Sequence, residues 1–303
     1  MSATVALCVC TYKRPDYLKR LLDSLIHLRK TETITLFVAD NDAVGRTGLD
    51  FIEANRNQYP FEILCEVEPA AGISHARNRT LAMLEKSGKN FDYVAFTDDD
   101  IEVTPQWIHD LVKASNLYDA DVVFGKREPL FETVPPKEIL ESSFFQDDFA
   151  CGCTGTVVPD GATCNALLRA KIFKDVGYNV FDTALTLTGG EDADFFAMLK
   201  KKGYKLIQCA SALVYEIMPE NRLNEKWILT RYTRSGWSYA YVLRKHGSTA
   251  QYLVGILKKI IKTPLKLFAY LKNPNISTKA GVYNYIGFFR CVLGAGDVQE
   301  YKR

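Results

Sequence analysis

The sequence predicts an α/β fold, with a mostly parallel central sheet flanked by helices and a helical C-terminal extension. Two observations carry this. Short β-branched apolar runs alternate with helix-period segments over the first hundred or so residues, the signature of repeated βα units. After about residue 220 the strand signals stop and long basic helical patterns replace them.

The elements follow in chain order. "TVALCVC" is a short apolar run and reads as a buried strand. "RPDYLKRLLDSLIHL" puts Leu18, Leu21, Leu22 and Leu25 at helical spacing, with Pro15 near the helix start. "ITLFVADND" is a second strand that ends in acids. "GISHARNRTLAMLEKS" is a helix after a glycine turn. "FDYVAFTDDD" is a third strand. "TPQWIHDLVKAS" reads as a helix with Thr104 as N-cap and Pro105 at the first helical position. Ligands of such sheets sit beyond the carboxyl ends of the strands, where "CTYKRP", "ADND" and "TDDD" fall. Residues 131–163 read as an irregular insert. "CNALLRAKIF" and "EDADFFAMLKKKG" then read as helical, and "YKLIQCASALVYE" as a strand.

Composition narrows the class. The 303 residues are 47% apolar and 24% charged, an ordinary globular balance for one large or two small domains. The chain runs from Met1 straight into "VALCVC" with no basic leader, so no signal peptide is expected. Charges interrupt every apolar stretch before it could span a bilayer as a simple helix. Eight cysteines without a framework predict reduced thiols in a cytosolic protein. "CGC" at Cys151–Cys153, with Cys164, fits no common zinc spacing. The net charge of +2 conceals −12 over residues 1–199 and +14 over residues 200–303. The basic tail calls for an anionic partner: nucleic acid, a lipid surface or a phosphorylated substrate.

Three consecutive carboxylates, Asp98, Asp99 and Asp100, repel one another at the end of a strand. A divalent cation would offset this, because Mg²⁺ and Mn²⁺ take oxygen ligands and are shared with substrate phosphates. The competing reading is a solvated turn. Asp40 and Asp42, and Glu191, Asp192 and Asp194, gather at the same sheet edge and favour a site. In "GGEDADFF" the acids cap a helix or supply a general base at its start.

In combination these segments resemble the inverting family 2 glycosyltransferases of GT-A fold. The resemblance runs through "VALCVCTYKRPDYLKRLLDSL", "VADND", "GISHARNRTL", "VAFTDDDIEV" and "GGEDADFF". The segment "MPENRLNEKWILTRYTRSGWSYA" is similar to a subgroup that elongates lipid-linked oligosaccharides for bacterial surface polysaccharides. The resemblance implies a nucleotide pocket lined by Thr11, Tyr12 and Arg14, with Asp40 and Asp42 at the uracil or ribose. It implies Arg77, beside Asn78, at the base and phosphates. Asp98 and Asp100 take the place of the DxD pair: Asp100 ligates Mn²⁺ or Mg²⁺, and Asp98 or Asp99 meets ribose and phosphates. Of Glu191 and Asp192, it assigns the base to Asp192. A small-residue stretch ending in Asn165 is expected on the acceptor side, with a glycine-rich loop as the alternative. The catalytic domain is expected over residues 1–220, divided near 103 into nucleotide-sugar and acceptor halves, with the extension over 221–303.

In the tail, Arg222, Lys226, Arg231 and Arg234 stand among Trp227, Tyr232 and Trp237. Arg222 and Trp227 are placed on the acceptor side, where basic residues would hold the diphosphate of a lipid-linked acceptor; a solvated helix face is the alternative. In "YLVGILKKIIKTPLKLFAYLK", Lys258, Lys259, Lys262 and Lys266 fall within an arc of about 100° opposite an apolar face. Residues 251–272 therefore read as a basic amphipathic helix on an anionic membrane, broken or kinked at Pro264. The alternative is packing on the catalytic domain or a dimer partner. The expected protein is a metal-dependent enzyme at the cytoplasmic face of the plasma membrane. It would move a sugar from a UDP-sugar to a lipid-linked saccharide and bind no nucleic acid. A nucleotidyltransferase would need a Gly-rich, lysine-containing loop that "TYKRPDY" lacks, and a dehydrogenase a G-x-G-x-x-G that is absent. The acidic front opposes a nucleic-acid module.

Overall fold

The computed structural model describes residues 2–147 and 151–296. In chain order the elements are β1 (Thr4–Thr11), α1 (Pro15–Ile26), β2 (Thr33–Asp40), α2 (Thr47–Asn55), β3 (Glu62–Val67), α3 (Ile73–Lys86), β4 (Tyr93–Asp98) and β5 (Ile101–Val103). Next come α4 (Trp107–Leu117), β6 (Val122–Phe131), α5 (Lys137–Leu140), α6 (Ser143–Asp147), β7 (Asn165–Arg169), α7 (Lys171–Val176) and α8 (Glu191–Lys201). The chain closes with β8 (Leu206–Met218), α9 (Glu225–His246), α10 (Thr249–Lys272) and α11 (Ile276–Val292).

The strands form one sheet in the order β3-β2-β1-β4-β7-β6-β8-β5. β3, β2, β1 and β4 are parallel neighbours. β7 runs antiparallel to β4 and β6, while β6 and β8 are parallel. β1 explains why its sequence is almost continuously apolar. Val5, Leu7 and Val9 face one core with Leu18, Leu22 and Trp107; Ala6 and Cys8 face the other with Leu81 and Phe37. A strand covered on both faces has no polar side to show. Register then sets the site: Cys10 lies beside Asp98 and Thr11 beside Asp40, so the acid-bearing ends stand level.

The fold agrees with the predicted class and corrects three elements. "NALLR" is a strand, not a helix; Ala166, Leu167 and Leu168 are buried between β4 and β6. A five-residue run buried on both faces carries no period to distinguish the two. Thr104 does not cap α4, because its hydroxyl donates to the Leu213 carbonyl (2.8 Å). Residues 104–106 form a turn, and the helix starts at Trp107. α10 continues through Pro264 without a break. Pro264 and Ile260 lie on the exposed side, where water can satisfy the carbonyl that proline leaves unpaired.

α9 and α11 approach closely enough to need glycine at the contact. A Cβ on Gly287 would lie 1.8 Å from the Thr233 carbonyl oxygen, and one on Gly236 1.8 Å from that of Asn284. Gly287→Ala should therefore lower the thermal midpoint, at a cost of about 1–3 kcal/mol from overpacking. Gly281→Ala, whose Cβ meets only Lys266 at 3.6 Å, should leave the midpoint unchanged or raise it. Calorimetry of the two variants checks this; equal midpoints would contradict the packing account.

Candidate active site

A cleft of about 1670 Å³ opens beyond the ends of β1, β2 and β4. Its floor is the 98–100 turn, in which each aspartate has its own cation. Asp98 pairs with Arg77 (3.2 Å), and Asp99 with Arg14 (2.8 Å). Asp100 pairs with both Arg14 (3.1 Å) and Arg222 (3.0 Å). Thr11, at the end of β1, donates its hydroxyl to Asp99 (2.8 Å). Arg222 also faces Glu216 (3.7 Å), which is paired with Arg127. The arginines offset repulsion among carboxylates that would otherwise be costly to bury.

The second wall is the start of α8. Gly190 takes φ +91°, and a Cβ there would meet the Ser238 hydroxyl at 2.4 Å, so glycine is needed to aim the helix into the cleft. Glu191 is buried and ion-paired with Arg77. Asp192 lines the same cleft half-buried. Among the described residues, its carboxylate accepts a hydrogen bond only from the Ala193 amide (2.7 Å).

Of the residues expected at the nucleotide, Thr11, Tyr12, Arg14 and Asp42 line the cleft, as do Arg77 and Asp98–Asp100. Asp40 does not. It is wholly buried, and its oxygens accept from the amides of Asp42, Gly48 and Leu49 (2.8–2.9 Å), fixing the loop into α2. Asn78 exchanges hydrogen bonds with the backbone of Phe181. Arg222, expected on the acceptor side, lines the cleft at the 98–100 turn, paired with Asp100. Asn165 is a buried joint instead: it accepts from the Trp107 indole (2.8 Å) and donates to the carbonyls of Lys126 and Ala212. Trp227 packs edge-to-face on Phe144 and lies under Arg222 and Arg231, backing the wall without forming it.

Sequence reasoning missed Arg127 and Glu216, because β6 was not recognised as a strand and only the contact between β6 and β8 pairs them. It also missed that α9 forms a wall, through Arg231, Ser235, Tyr239, Val242 and His246. Their spacing of three and four residues was the available signal. The cysteines are all free, and burial pushes the Cys8 and Cys164 thiols up to about 12. Among the described residues no three His, Cys, Asp or Glu side chains converge as a metal cluster.

Comparison with known proteins decides the family. The sequence model of "Glycosyl transferase family 2" matches residues 6–177. The chain belongs to that family. It is 33% identical over 243 residues to the succinoglycan biosynthesis protein ExoM of Rhizobium meliloti (strain 1021), covering 79% of this chain and 75% of that protein. The fold is similar to the mannosyltransferase PcManGT from Pyrobaculum calidifontis in complex with GDP-Man and Mn²⁺. That likeness has a TM-score of 0.59 and 15% identity, over 98% of this chain and 77% of the other. It is also similar to S. aureus TarS 1-349 in complex with UDP-GlcNAc, with a TM-score of 0.52 and 14% identity, over 96% and 92%. In another S. aureus TarS structure the likeness (TM-score 0.52, 16% identity) covers 81% of this chain but only 44% of that one. The protein is thus a glycosyltransferase with a GT-A fold.

Burial is the main influence on two of the aspartates. It raises Asp98 against the opposing pull of Arg77, and pushes Asp99 up to about 7 against Arg14. A carboxyl whose folded value exceeds its unfolded value of 3.8 stabilises the fold while protonated, and that contribution fades as the pH rises towards 7. Denaturant unfolding should therefore show the wild type losing stability relative to Asp99→Asn between about pH 4 and pH 7. A difference that does not vary with pH would contradict the assignment.

Proposed function

We propose that the cleft transfers a sugar from a UDP-sugar to an acceptor hydroxyl in one displacement with inversion, Asp192 serving as general base. The observation that carries this reading is the contrast between the two neighbouring acids. Glu191 is buried and committed to Arg77, whereas Asp192 lines the cleft with no cation paired to it among the described residues. A base must reach the acceptor hydroxyl while keeping a free oxygen.

The proton of the acceptor hydroxyl passes to Asp192. The acceptor oxygen forms its bond to the anomeric carbon as the bond from that carbon to the β-phosphate oxygen breaks, and the nucleoside diphosphate leaves with the electron pair. We assign the diphosphate to Arg14 and Arg222, which stand at the 98–100 turn. Thr11, Tyr12 and Asp42 form the nucleoside end.

The residues also fit a divalent cation. Mg²⁺ and Mn²⁺ take oxygen donors, commonly one or two carboxylates plus substrate phosphates. Asp98 and Asp100 line the cleft and would supply them; Asp99, at the same edge, is wholly buried against Thr11 and Arg14. When bound there, the cation neutralises diphosphate charge. The two guanidiniums on Asp100 occupy the position of positive charge that such an ion would share.

The likeness to the succinoglycan biosynthesis protein ExoM supports a place in exopolysaccharide biosynthesis; we take a lipid-linked saccharide as the acceptor. No helix among the described residues is long and apolar enough to cross a membrane. α10 has no buried residue, and we read it as the peripheral attachment to the anionic cytoplasmic face.

The test begins with a thermal-shift screen of UDP- and GDP-sugars with and without Mn²⁺. Stabilisation by a nucleotide sugar is expected. Asp192→Asn should reduce transfer by at least about 10²-fold while the UDP shift persists, and Asp100→Ala should weaken the Mn²⁺-dependent part of that shift. Full transfer by the Asp192 variant would sink the base assignment.

A further inference from the structure

We infer that the outer mouth of the cleft opens onto the membrane surface, so that a lipid-linked acceptor enters from the bilayer on which α10 lies. This rests on the proposed membrane attachment and goes beyond it by fixing which way the cleft faces.

The cleft is long and follows one helix face. From Arg231 to His246 the lining of α9 spans fifteen residues, about 22 Å at 1.5 Å per residue. The inner end lies at the aspartate turn through Arg222, with Arg231 beside it over the same Trp227 ring. At the outer end the lining passes to His246, Ser248 and Gln251, the junction of α9 with α10 and the first turn of α10. Lys200 and Lys201, from the end of α8, line the cleft as well. The inner part of this groove holds the nucleotide sugar of the proposed reaction, which leaves the outer part for the saccharide acceptor. Tyr239, 53% exposed on its wall, offers an aromatic face for a sugar ring.

The mouth runs directly into an apolar surface. Two residues beyond Gln251 begins the stripe Leu253, Leu257, Ile261, Leu265 and Phe268, each 55–67% exposed. These positions recur at helical spacing on one face of α10. The opposite side is held to the body by Lys259, whose ammonium donates to Asn284 (2.9 Å) and sits 4.0 Å from the Tyr285 ring centroid. The occupant of the open stripe is indicated by charge. Lys226 to Gly296 contains twelve Lys or Arg and no Asp or Glu. Lys258, Lys262 and Lys272 are exposed on α10 beside the stripe. An uninterrupted positive field around a broad apolar face fits an anionic bilayer. A second copy of this chain would bring two equally basic faces together. With α10 in the interface, the residues at its first turn lie at headgroup level, and an acceptor whose lipid stays in the bilayer can reach past His246, which engages Asp194, to Asp192 two residues earlier on α8.

The experiment measures depth. Leu257→Cys, Phe268→Cys, Gln251→Cys, Lys201→Cys and Val44→Cys, each in a background with Cys10, Cys65, Cys151 and Cys153, the accessible thiols, changed to Ser, carry a nitroxide. They are examined on phosphatidylcholine vesicles with and without phosphatidylglycerol. Phosphatidylglycerol should strengthen binding by at least about tenfold, since each basic residue near an anionic surface contributes roughly fivefold. Labels at 257 and 268 should lie in hydrocarbon, those at 251 and 201 at headgroup depth, and that at 44, at the nucleotide end, in water. Immersed α10 labels with aqueous mouth labels would overturn the inference and leave the membrane reading standing. If no label is immersed, or if the α10 labels are already shielded by dimerisation without vesicles, both fail. The nucleotide-sugar thermal shift reports on the transfer reading separately.

Discussion

The site depends on one buried guanidinium. Arg77, on α3, pairs with Asp98 at the end of β4 and with Glu191 at the start of α8, above the Phe181 ring at 5.7 Å. Glu191, which is buried, could not sit where it does without it, while Asp98 is partly open to solvent. Leaving a charge of this kind buried and unpaired costs roughly 3–5 kcal/mol. Arg77 thereby ties α3 to the end of β4 and the start of α8. Asp192 is covalently next to Glu191, so this contact helps set its place relative to the aspartate turn.

The C-terminal helices complete the same arrangement from the other side. Arg222 holds Asp100 just before α9 begins. Arg234 donates to the Thr188 carbonyl (2.7 Å) in the loop leading to Gly189 and Gly190. Further along α9, Lys245 (2.8 Å) and His246 (2.7 Å) both engage Asp194, one turn into α8. The extension is therefore part of the wall that positions the acids, and the surface that meets the environment, α10, is separated from the chemistry by one rigid helix.

Much of the fold could be read from the residues, because buried parallel strands leave continuous apolar runs and α1 leaves a strict stripe. β6 escaped because only Val122, Val123 and Phe124 are fully buried, after which "GKREPLF" is half-buried and polar. For the site, strand-end acids at level registers gave the location, and the glycines gave the start of α8. Individual roles were less legible. Asp40 and Asp42 look alike in sequence, yet backbone amides consume Asp40. Asn165 looked like a loop residue facing a ligand and is a buried joint between strands. Such differences depend on which backbone groups lie nearby, and no local pattern encodes that.

The central claim is a single displacement driven by Asp192 across from the diphosphate. The most direct measurement is the anomeric configuration of the first product, read by NMR from the one-bond C–H coupling at the transferred carbon before any equilibration. The account predicts a configuration opposite to that of the donor. Retention would require a second displacement or a same-face mechanism, for which this cleft has been assigned no nucleophile, and would contradict it.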